Sequence, residues 1–365
     1  MQEAVHGHIN FMSFPQSAPG GRNDRAGLTY VAIFLTLYFL LSAICPVHAA
    51  QKNVKETIAL FPFENLSGDK NALAVVMPAV KVGLEAKGFE VLDEGKLNDF
   101  LLRERIRNTG YVTGDLAARL GEELHVKAVL VGSINSFLAG EDPRIGISAR
   151  LVGSSDGAVL WANHSSASGD DFTTILGLGK VTSIDGLSAR VADDLFDSFR
   201  TDFAGKQKEA TYRVAVMPFQ NGSEVKDAGM VATYLFITEL FKDKEFMPVE
   251  YGDVRRLVVD LRISEKGELD FKKAERMSRS TGIDGIIVGS VDIYREKDGT
   301  APPEAEISAR LIDARRGKIL WCDSFGLKGD DDTILLDWGK KNTAEEVARE
   351  VVSRLAKGMD KARWN

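Results

Sequence analysis

Histidine and cysteine are scarce in this chain. Five histidines and two cysteines occur in 365 residues. Three of the histidines, His6, His8 and His48, fall in the first fifty positions, which leaves His125 and His164. No cysteine pair has zinc-finger spacing, and two cysteines cannot build a disulfide framework. A basic excess is missing too. Lys and Arg total 46 against 53 Asp and Glu, a net charge of −7, so the basic face of a nucleic-acid binder is not expected, nor is an anionic membrane surface as main partner. The Gly-x-Ser-x-Gly elbow of hydrolases is absent. Gly177-Leu178-Gly179-Lys180 resembles a phosphate loop but fails the pattern, because Thr174 stands where the first glycine belongs and Val181 where Ser or Thr should follow the lysine. Asp170-Asp171 and Asp330-Asp331-Asp332 lack the alternation of a calcium loop and suit helix starts, where acids oppose the macrodipole. No cofactor, metal or catalytic set is expected. A hydrolase built on His164 and these aspartates is the remaining enzymatic alternative.

What the chain does contain, it contains twice. Ile147-Ser148-Ala149-Arg150-Leu151 returns as Ile307-Ser308-Ala309-Arg310-Leu311. Trp161 and Trp321 follow at the same distance, then Gly169-Asp170-Asp171 and Gly329-Asp330-Asp331, all at an offset of 160. Landmarks in register over such a span mark an internal duplication. We assign residues 51–200 to the first repeat, 201–210 to a polar linker and 211–365 to the second.

Residues 1–50 read as a signal peptide or a retained membrane anchor. Arg22 and Arg25 precede an apolar run from Leu28 to Cys45, and Val47 and Ala49 offer small residues at a cleavage site. Met12 is an alternative start, and Cys45 a candidate for lipidation, although Ile44 is bulky for a lipobox. The expected location is the periplasm.

Each repeat opens with an apolar strand, 58–63 and 214–219. A helix follows, with apolar residues at Leu73, Met77, Val80 and Leu84, or at Met230, Tyr234, Ile237 and Phe241. A short strand and two helices come next, then a continuous apolar strand ending in Gly132-Ser133 or Gly289-Ser290, as in strands buried on both faces. The repeated phrase alternates as a half-buried strand, and Asp156-Gly157 or Arg316-Gly317 turns it into the tryptophan strand. Leu187, Val191 and Leu195, or Val347, Val351 and Leu355, stripe a closing helix, with a capping box at Thr343 and Glu346 in the second. The fold class is therefore α/β, two tandem repeats of a mixed sheet covered by helices. Trp161 and Trp321 are expected to close the core, and Arg150 and Arg310 to pair with an acid across their sheets.

Two kinds of site are candidates for partner contact. Asn65 and Ser67, and Asn221 and Ser223, follow the first strand of each repeat, at the carboxyl edge where open α/β sheets bind ligands. The alternative is that they make the turn and cap the next helix. Ile334, Leu335 and Trp338 lie in an apolar segment between the acidic turn and the closing helix. They either pack on the sheet or contact another subunit.

The order of Val214-Ala215-Val216-Met217-Pro218-Phe219, Gly289-Ser290-Val291, Ala309-Arg310-Leu311-Ile312-Asp313 and Gly317-Lys318-Ile319-Leu320-Trp321 resembles the CsgG family of curli secretion proteins and the related N-terminal domain of TolB. The first repeat matches through Ala59-Leu60-Phe61-Pro62-Phe63, Gly132-Ser133-Ile134, Ala149-Arg150-Leu151-Val152 and Gly157-Ala158-Val159-Leu160-Trp161. The resemblance implies a non-enzymatic cell-envelope protein with a periplasmic α/β domain, acting in assembly, secretion or partner binding. Envelope or secretion-system proteins are the implied partners, with homo-oligomers and outer-membrane association as further options. The alternative is an oligomeric, lipidated outer-membrane channel subunit. A spanning hairpin needs about twenty alternating residues, whereas the links at 136–144 and 295–303 are short and polar.

Overall fold

The first sheet is mixed, as the strand–helix alternation predicts. The computed structural model describes residues 55–173, 178–200, 210–263, 271–333 and 339–364. The leader with Cys45, linker residues 201–209 and the candidates Ile334, Leu335 and Trp338 lie outside these. In the first repeat, β1 (Thr57–Leu60) and β2 (Glu64–Asn65) precede α1 (Ala72–Ala86), β3 (Glu90–Val91), α2 (Glu94–Arg103) and α3 (Gly114–Leu124). The long strands β4 (Ala128–Leu138), β5 (Arg144–Gly153) and β6 (Val159–Ser168) follow, then α4 (Ile184–Leu195). The strand order is β3-β1-β4-β5-β6, with β2 alongside β4. β1 pairs parallel with β3 and β4, while β4, β5 and β6 form an antiparallel meander.

The second repeat copies this plan. β7 (Tyr212–Val216), β8 (Gln220–Asn221), α5 (Ala228–Lys242), β9 (Phe246–Pro248), α6 (Tyr251–Asp260) and α7 (Phe271–Thr281) are followed by β10 (Gly285–Arg295), β11 (Glu304–Asp313), β12 (Ile319–Lys328) and α8 (Ala344–Gly358). The sheet order is β9-β7-β10-β11-β12, with β8 alongside β10. Even the irregularities recur. The ladder shifts register between Ile134 and Ser136 in one sheet and between Val291 and Ile293 in the other, which makes Asn135 and Asp292 equivalent bulge residues. Gly132 and Gly289 keep their places for the same reasons: a Cβ there would meet the Ser148 or Ser308 carbonyl at 2.5 Å and the Phe63 or Phe219 ring at 2.8 or 2.2 Å.

Both repeats belong to one compact unit, Lys55–Asn365. α1 and α4 cover one face of the first sheet through Val76, Val80, Leu187 and Val191, against Ile58, Leu130, Ile147 and Trp161. α2 and α3 cover the β1–β4 half of the other face. In the second sheet α5 and α8 take the first role and α6 and α7 the second. α5 also lies against β5 and β6 of the first sheet and α8 against β6, so they are shared between the two sheets. α5 shows the consequence: every residue from Val231 to Leu240 is buried. Its periodic residues predict one buried face, but a helix apolar all round is one packed on two sides. In α1, its counterpart, the buried residues are Ala72, Val76, Val80, Gly83 and Leu84, which mark a single face. Pro78 sits inside α1.

Candidate functional site

The two repeats differ most on the sheet face that α5 and α8 cover in one and leave open in the other. Along β5 the residues facing that side are Arg144, Gly146, Ser148 and Arg150; along β11 they are Glu304, Glu306, Ser308 and Arg310. The strand pairings match: Ser148 faces His164 as Ser308 faces Ser324, and Arg150 faces Ala162 as Arg310 faces Cys322.

In the first repeat this face is sealed. Ser133, Ser148 and Arg150 are 0 % exposed, and Asn135, Ala162 and His164 are also buried. Arg150 carries the seal. Its Nε donates to Glu250 Oε2 at 2.9 Å, one terminal nitrogen to Glu250 Oε1 at 3.2 Å and to the Gly110 carbonyl at 2.9 Å. The guanidinium lies 4.6 Å from the centre of the Tyr234 ring, and the Tyr234 hydroxyl donates to Glu64 at 2.7 Å. A buried charge needs such pairing, since desolvation otherwise costs several kcal/mol per ion. Burial works against the Arg150 charge, yet Glu250, by charge and hydrogen bond, holds its pKa above the ordinary arginine value. Burial, reinforced by Glu64, pushes the Tyr234 hydroxyl well up. The expected acid partner thus exists, but it comes from the second repeat rather than from across the sheet. Glu250 is the residue before α6, the slot that Asp93 holds before α2. Asp93 spends its carboxylate on capping, accepting from the Lys96 amide, whereas Glu250 makes no side-chain cap.

A second lock lies at the other end of the face. Glu345, in the first turn of α8, reaches into a pocket where Asn135 Nδ2 donates to it at 2.6 Å, Ser136 Oγ at 2.6 Å, and His164 Nε2 lies at 2.9 Å. Gly146 makes the room, because a Cβ there would sit 1.6 Å from Glu345 Oε2. His164 is buried by this helix and is part of the joint. Arg144 adds a contact to Glu296 at 3.2 Å.

In the second repeat the equivalent face is open. Arg310, Cys322, Ser324 and Asp292 are exposed. The Arg310 side chain has no hydrogen-bond or ion-pair partner among the described residues. A cleft of about 1290 Å³ runs along this face beside α6, with Phe219, Tyr251, Val258 and Val288 in its wall and Arg255 and Arg310 at its rim. Cleft size and an apolar wall with a few charged groups suit a binding surface.

The predicted turn residues border this cleft only in the second repeat, where Asn221 lines it. Asn221 Oδ1 accepts from the Ser223 amide and hydroxyl, and Nδ2 donates to the Val225 carbonyl. Asn65 does the same with Ser67 and Asp69. These are Asx turns. The helix caps are elsewhere, at Asn71 and Asp227. The acidic turns are also tied internally: Asp170 to Lys180 at 2.7 Å, and Asp332 to Lys341 and Arg354 at 2.9 Å each. Among the described residues no group of His, Cys, Asp and Glu could hold a metal.

No family model matches the chain, and no curated protein matches it. Solved structures do. The PelC dodecamer from Paraburkholderia phytofirmans is 18 % identical over 44 % of this chain and 96 % of its own, with a TM-score of 0.29. Lipoprotein GNA1162 from Neisseria meningitidis is 18 % identical over 40 % of this chain and 99 % of its own, also at 0.29. TolB from Acinetobacter baumannii is 13 % identical over 43 % of this chain and 29 % of its own, at 0.25.

Proposed function

We propose that the chain is a non-enzymatic periplasmic protein of a Gram-negative-type envelope, and that it works by docking a protein partner on the open face of its second sheet. The observation that supports this reading is the contrast between the two repeats. The same polar face, with the same serine–arginine pair, is buried under protein in one and exposed beside a large cleft in the other. The N-terminal segment read as a signal peptide or membrane anchor and the resemblance to CsgG-like proteins favour the envelope. Links of a few residues join β4 to β5 and β10 to β11, which favours an accessory or partner-binding module over a channel subunit. Fractionation of a Gram-negative host tests the compartment, and full-length protein in the cytoplasm contradicts it. Capture from an envelope extract, compared between the native chain and Arg310→Glu, tests the face. Equal capture by both contradicts the docking role.

A further inference from the structure

The first repeat shows how this type of face is covered, and the second shows that its cover must be different. Glu345 is received by an amide, a hydroxyl, an imidazole and the space above a glycine. At the matching positions the second sheet has Asp292 for Asn135, Ile293 for Ser136, Ser324 for His164 and Glu306 for Gly146. Every group that welcomes a carboxylate is gone, and two carboxylates have arrived. Asp292 accepts from the hydroxyls of Ser290 at 3.1 Å and Ser308 at 2.9 Å, and an ionised carboxylate has no donor of its own to offer an incoming carboxylate. Glu306 is half-buried and has no partner among the described residues. Glu304 stands where Arg144 stands.

A second copy of the chain would bring its first repeat onto this face. The residue in the place of Glu345 would be Asp185, the second residue of α4 as Glu345 is of α8. It would meet Asp292 and Glu306. Like charges brought together at an interface suppress the wrong partner. The residue in the place of Glu250 would be Asp93, which is shorter and already caps its own helix, and Pro78 would replace Tyr234 against Arg310. The contacts that Glu345, Glu250 and Tyr234 make in the joint between the repeats would not form again.

Resting on the docking role proposed above, we infer that this face refuses a second copy of the chain and takes a different protein, one that presents a lysine or arginine to Asp292 and Glu306 and a carboxylate to Arg310. The inverted charge selects what this face takes.

The chain itself can serve as the probe. Asp185→Lys gives a second copy the basic side chain that the face calls for. The native protein should show no association through this face. The variant should associate as concentration rises in sedimentation, with the Cys322 thiol protected from maleimide, and the association should weaken with salt and with Asp292→Asn. A complementary variant, Asp292→Asn with Glu306→Gly and Ser324→His, restores the carboxylate pocket and should admit the native Asp185. Gain of association in either variant supports the inference. It is overturned if neither variant gains, or if the native chain already self-associates with protection of Cys322. Neither failure touches the capture experiment, so the docking role stands or falls separately.

Discussion

Gly146 and Glu345 occupy one another's space: a side chain on the glycine would overlap the carboxylate that α8 sends into the first sheet. The glycine is therefore a packing requirement of the joint between repeats, and its counterpart Glu306 marks the repeat that has no such joint. Gly146→Ala should destabilise the protein by about 1–3 kcal/mol, the usual cost of overpacking. Chemical denaturation reads this directly. Glu306→Ala on the open face should stay within about 0.5 kcal/mol of the native protein.

The Arg150–Glu250 pair is the other half of the joint. Arg150→Met leaves Glu250 buried without its guanidinium, which should cost about 3–5 kcal/mol. Glu250→Gln should also destabilise strongly. The two effects should not add, because both break the same pair. A denaturation cycle over the native, single and double variants checks this, and fully additive losses would show that the pair is not coupled.

Stability should fall as pH rises through the neutral range. Burial, then the nearby Asp171 carboxylate, push the Glu346 carboxyl up to about 7 from a reference of 4.5, although the Asn342 and Thr343 amides donate to it. Between those values the folded chain holds a proton that the unfolded chain has released. Stability is then greatest below the unfolded pKa and declines until the folded group ionises. Glu346 is half-buried, so the loss should be on the order of 2 kcal/mol. Glu346→Gln keeps an acceptor for the capping box and should flatten the profile between pH 5 and 8, as followed by melting temperature.

Much of each sheet was legible along the chain because strand alternation, helical stripes and turn residues are local signals. The repeat of Ile147–Leu151 at Ile307–Leu311 even places both arginines on equivalent strands. The stacking of the repeats was not legible. Arg150 and Glu250 are 100 positions apart, His164 and Glu345 181, Asn135 and Glu345 210, and no local period connects them. The usable signal was the mismatch between the copies. Asn135 against Asp292, Gly146 against Glu306 and Asp93 against Glu250 are departures from the duplication at positions that share a register. α5 carried a second sign, since its apolar residues spread around the helix instead of forming one stripe.

Asn221 and Arg310 border the same cleft, and they should behave in opposite ways. Asn221 uses its side-chain oxygen and nitrogen on its own turn. Asn221→Ala should lower stability by about 0.5–1.5 kcal/mol, the net worth of such hydrogen bonds, with partner capture unchanged at temperatures where the protein stays folded. The Arg310 side chain is exposed and makes no hydrogen bond to the fold among the described residues. Arg310→Ala should leave the melting temperature almost where it was while capture from envelope extract falls. Arginine, with tryptophan and tyrosine, is enriched among the residues that anchor such contacts, and losing an anchor typically costs about 2 kcal/mol or more, roughly thirtyfold in affinity. If instead Asn221→Ala abolished capture with no change in melting, the turn rather than the sheet face would be the contact.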